Sequence, residues 1–188
     1  VNARPLASVG AALAGLGALY AFALLLGMPD PAWSYLARGV VHLGELAVLL
    51  AVAVSGLAGS GVLARVGVGL AVLGQLALAV AEWTLLSAPD LSLALFAVGP
   101  ILTGLGLVLT GIAVLRTGLL TGWHRWTVLA LGAYVFLVMM PAIIVSGGPP
   151  APLGLWALAV WGLLWVLIAV SVLTGTTAVR RAGAPTAA

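Results

Sequence analysis

Long apolar runs separated by short polar or turn-forming breaks make up the chain. Six runs, at about 6–27, 39–59, 62–86, 91–115, 126–146 and 153–174, each reach the roughly 20 residues that a helix needs to cross a bilayer. The breaks carry turn chemistry: MPDPAW at 28–33, GSG at 59–61, SAPD at 87–90 and SGGPPAP at 146–152. Backbone polar groups in lipid must be paired within the segment, so helices are the expected form. A β-barrel would need alternating strands of about ten residues, and the chain has no such alternation. The pattern predicts an all-α fold: one domain over 1–179, a transmembrane bundle of six helices, with a flexible basic tail at 180–188. Pro100 and Pro141 fall inside spans and are expected to kink them. Arg4 and Ala21-Phe22-Ala23 give the first run some features of a signal peptide. Its apolar length exceeds the roughly 7–15 residues of such segments, so it is read as a retained helix. Val1 in place of Met fits either an alternative start or a processed end.

Composition narrows the class. Hydrophobic residues make up 64% of the 188 and charged residues 6%, against roughly 25% charged in an ordinary soluble domain. Disorder is excluded by the same apolar excess. There is no Cys, which removes thiol nucleophiles, disulfides and Cys-bound metals. The cations are seven Arg dispersed along the chain, a distribution that does not point to nucleic acid.

Arg placement gives a direction. Six spans put both termini on one side, with Arg4, Arg65, Arg116, Arg125, Arg180 and Arg181 and no acid. The other side has Arg38 with Asp30 and Asp90. The positive-inside rule then makes both termini cytoplasmic, in a multi-pass protein of the cell membrane, a bacterial inner membrane. Glycine is abundant, at 25 residues. Gly99 with Gly106 and Gly104 with Gly111 offer close-packing faces, and a homo-oligomer through such faces is one expected partner besides the bilayer.

Intramembrane ionisable groups are costly, so they are the first candidates for function. Here they are His42, Glu45 and Glu82. If the second helix starts near residue 39 and the third ends near 86, Glu45 lies about 9 Å and Glu82 about 6 Å inside the outer surface. The two carboxyls are then expected to approach each other at similar depth, with His42 beside Glu45 on one helix face. On the third helix Val68, Val72, Gln75, Ala79 and Glu82 form one stripe. Tyr20, Trp83, Trp156 and Trp161 gather at the same level, which suggests an acidic, aromatic-walled cavity open to the outer leaflet. In this reading His42, Glu45 and Glu82 are the catalytic candidates, and Gln75, Trp83, Tyr20, Trp156 and Trp161 line a binding site. A structural polar clamp between helices is the alternative. His124 reads as an interface anchor. His42 and His124 fall on opposite sides, so a bis-His haem is not expected. One His and two carboxylates are a weak metal signal, so neither cofactor nor metal is assigned.

The segment GIAVLRTGLLTGW at 111–123 resembles a recurring stretch in uncharacterised small six-helix integral membrane proteins of actinobacterial type. His42-Leu43 early in the second span and Glu82 in AEW match the same type. The resemblance implies a topology and no activity. The His-plus-two-Glu arrangement with Trp is also similar in chemical logic to sterol isomerases of the emopamil-binding type, with His42 and Glu45 three residues apart rather than four.

Three functions fit these residues. The first is binding or conversion of a lipophilic, isoprenoid-like molecule from the outer leaflet, with a neutral carboxyl donating a proton and aromatic faces stabilising a cation. The second is a proton-coupled small-solute transporter with Glu45 and Glu82 as its proton site, although no polar lining continues to the cytoplasmic side. The third is a non-catalytic accessory or scaffold protein.

Overall fold

A computed structural model describes residues 2–182, with side chains described up to residue 175. The described residues contain helices and no strand. Six helices are long and apolar enough to cross a membrane, which makes this an integral membrane protein. They are α1 (Ala3–Leu25), α2 (Ser34–Val54), α3 (Val62–Thr84), α4 (Pro89–Thr117), α5 (Gly122–Ser146) and α6 (Pro152–Ala182). The tail expected from residue 180 begins inside α6, whose helix continues to Ala182. The rest of that tail lies outside the described residues.

Local chemistry explains the ends. The Asn2 side chain accepts the Arg4 backbone N–H and caps α1. Pro89 opens α4 with Asp90 in its first turn, and Arg116 closes it before Gly118 at φ 66°. The largest difference from the sequence reading is at α2, which begins at Ser34 rather than near residue 39. Its first turns therefore include Arg38, which the hydropathy pattern assigns to a loop. Pro100 sits within a continuous α4. Pro141 follows a π turn at Val135–Met139, where the Met140 N–H reaches back to the Val135 carbonyl.

Helices adjacent in sequence pack as neighbours, and α6 closes the ring against α1 and α5. Small residues bring the backbones together. A Cβ on Gly74 would stand 2.5 Å from the Thr103 nitrogen, and one on Gly67 2.7 Å from the Thr110 nitrogen. A Cβ on Gly111 would stand 2.5 Å from the Leu129 backbone, and one on Gly132 2.6 Å from the Val108 nitrogen. In lipid such close packing drives helix association, because apolar side chains gain nothing by leaving the solvent. Gly99, Gly104, Gly106 and Gly111 all face helices of the same chain, so contact between copies would have to use other faces.

The centre of the bundle is filled by Trp165, Leu49, Leu107, Leu131 and Ile168, all fully buried. Glu45 and Gln75 are buried to the same degree among them. Six antiparallel spans leave two ends. Asp30, Arg38, Glu82 and Asp90 belong to one, and Arg4, Arg65, Arg116 and Arg125 to the other.

Candidate functional site

The polar side chains at the acidic end form two tiers. Ser34, Arg38, His42 and Glu45 repeat at spacings of four, four and three along α2, so they share one face. In the upper tier the Arg38 Nε donates to Glu82 Oε2 at 2.9 Å, joining α2 to α3. Arg38 Nη1 donates to Ser34 Oγ at 2.8 Å and reaches Asp30 Oδ2 at 3.3 Å. The Tyr20 hydroxyl, from α1, donates to the other oxygen of Asp30. Burial acts to raise the Asp30 carboxyl. Hydrogen bonds from Ser34 and Tyr20, with the charge and hydrogen bond of Arg38, outweigh it and hold the group below the ordinary carboxylate range.

Two turns deeper lies the second tier. Glu45 is only 1% exposed. Its Oε1 accepts the Trp161 indole N–H at 2.6 Å, from α6, and its Oε2 pairs with His42 Nδ1 at 2.9 Å. Trp161 meets Trp165 edge-on, with ring centroids 5.6 Å apart. The Glu82 charge also acts on the His42 ring, and Gln75 lies against it. Gln75 makes no hydrogen bond of ordinary length and angle.

The structure gives the two carboxylates different partners. With α2 starting at Ser34, Glu45 lies about 16 Å along its helix, deeper than the loop reading of 34–38 implies. Each carboxylate has its own N–H partners and no hydrogen bond joins them. His42 and Trp161 are gathered around Glu45 as a set. Trp83 donates instead to the Leu36 carbonyl at 3.2 Å, its ring lying over Gly39 where a Cβ would clash. Tyr20 serves Asp30. Trp156 stacks edge-on with Phe22 at 5.2 Å and is half exposed. Arg38 is the principal residue that the sequence reading left out of the site. Its spacing from His42 and Glu45 was the available signal.

A groove of about 180 Å³ runs between α5 and α6, lined by Tyr134, Val138, Ala142, Trp156, Ala157 and Val160 among others. Its lining is apolar, and neither His42, Glu45 nor Glu82 contributes to it. At the Arg-rich end, His124 Nδ1 pairs with Ser171 Oγ at 3.2 Å and Thr127 donates to the same oxygen at 3.3 Å, fastening α5 to α6. No group of three or more His and acidic residues among the described residues is arranged to hold a metal. The chain matches no protein-family model, no curated protein and no solved structure.

Proposed function

We propose that this membrane protein binds and releases a proton through His42 and Glu45, as the ion site of a proton-linked transporter entered from the acidic end. The observation that carries this reading is the setting of Glu45, a carboxyl with 1% exposure whose two oxygens face an imidazole and an indole N–H. A carboxylate this deep is costly unless paired, and an imidazole beside it is a group that can take up or give back a proton. The upper tier of Asp30, Arg38 and Glu82 extends polar groups from this pair to the acidic end. Acid catalysis on a lipophilic substrate is less well supported, because both Glu45 oxygens are occupied and α6 stands between the pair and the apolar groove. The groove favours a second reading, in which a lipophilic molecule rests against Trp156 and Tyr134 without chemistry.

The test is a pH jump applied to the protein on solid-supported membranes. A transient current is expected in the wild type, lost in Glu45→Gln and retained in Trp156→Ala. A wild type without current, or a current unchanged by Glu45→Gln, would overturn the proposal.

A further inference from the structure

Beside the Glu45 tier lie buried polar atoms that no hydrogen bond accounts for. Both amide atoms of Gln75, the Thr103 hydroxyl and the Trp165 indole N–H make no hydrogen bond of ordinary length and angle, although Gln75 faces the His42 ring, and all three residues are 0% exposed. Three independent registers bring them within about one helical turn of the same level. Arg38 on α2 faces Glu82 on α3, and two turns deeper on each antiparallel helix lie Glu45 and Gln75. The Thr103 hydroxyl, on α4, fills the space where Gly74 lacks a Cβ, next to Gln75 in the chain. Trp165 stands one turn below Trp161, edge-on to it, while Trp161 donates to Glu45.

These groups do not resemble incidental polar side chains at a lipid boundary. An amide buried without partners costs more than its hydrogen bonds would return, and nearly all such groups in proteins are satisfied. Lipid offers them no alternative. Donors from Trp165 and Thr103, with a donor and an acceptor from Gln75, supply the two to four contacts that a buried water needs. Thr110, the other unpartnered hydroxyl, packs against Gly67 two turns nearer the Arg-rich end and lies outside this level.

We infer that Gln75, Thr103 and Trp165 form a hydrated site in the middle of the bundle, binding water beneath the His42–Glu45 pair. The inference rests on unpartnered atoms and stands whether or not the pair moves a proton. It assigns Gln75 a role that apolar packing cannot supply, since a Leu would fill the same volume without the cost.

Synchrotron hydroxyl-radical labelling in ¹⁸O-water of the protein in nanodiscs tests it, because radicals form at bound water and mark the nearest side chains. Trp165 is expected to take up oxygen despite its burial, at a rate approaching that of the exposed Trp123. Gln75→Leu should lower the Trp165 rate severalfold and leave Trp123 unchanged. Thr103→Val, which keeps the side-chain shape, should lower it by a smaller factor and covers the case where Gln75→Leu misfolds. A wild-type Trp165 that stays unlabelled, or labelling indifferent to both changes, would overturn the inference. Neither result bears on the pH-jump current, so the two proposals fail separately.

Discussion

Arg38 shows how a single residue can organise a site. It sits where hydropathy places a loop, and its charge is tolerated inside α2 because Glu82, Ser34 and Asp30 surround it. Removing one member of a fully buried pair leaves the other unpaired, which costs about 3–5 kcal/mol; Arg38 is 29% exposed, so the cost here falls at or below the lower end of that range. Arg38→Met should therefore destabilise the protein by about 3 kcal/mol or less. The double change Arg38→Met with Glu82→Leu should cost clearly less than the two single changes together, as read by unfolding in detergent. Strict additivity would mean that the pair contributes no coupling. Asp30 adds an acid-side signature. Its folded carboxyl titrates below its unfolded value, so its contribution is complete above the ordinary carboxylate pKa of about 3.9 and is lost as pH falls through the depressed value. Asp30→Asn should lower the melting temperature at neutrality and flatten its decline below that pH, so that the two proteins converge in acid.

Among the elements, the glycine contacts differ in how much their neighbours can move. At Gly74 a methyl group would press on the backbone of Thr103 and Gly99, which belongs to a rigid helix. At Gly39 it would press on the ring of Trp83, which is 39% exposed and able to swing away. Gly74→Ala is expected to cost at least about 1–3 kcal/mol, the range for overpacking. Gly39→Ala should cost less and shift Trp83 fluorescence. Equal melting temperatures for the two would contradict this ranking. The same contrast explains what was legible in the chain. Hydropathy alone located all six spans, because lipid demands long apolar helices. The start of α2 was not legible, because Arg38 becomes inexpensive only through Glu82 on another helix, and a linear pattern contains no pairing. His42 beside Glu45 follows from spacing three on one helix. That Trp161, far along the chain, would donate to Glu45 depends on how α6 closes the ring, which no local signal encodes.

At the scale of the whole molecule, the Arg-rich and acidic ends make orientation testable in a chain without Cys. A Cys at Ala32 should react with an impermeant thiol reagent on intact cells, and one at Thr121 only after lysis; the reverse would invert the threading. The bundle is also unevenly bound. Along α3 and α4, Gly67 and Gly74 meet threonine backbone directly, so these two helices form one stiff plank. By contrast, α2 and α6 are fastened through a carboxylate strap, Glu45 to Trp161. A hydrogen bond to a charged oxygen is roughly twice as strong as one to a neutral group, so in the proposed proton cycle a proton on Glu45 would slacken the strap and leave the plank untouched. Acidity would thus act as a latch release for one seam of the bundle. Spin labels at Leu50 and Leu167 should report a broader distance distribution at low pH, while labels at Leu76 and Leu105 keep theirs.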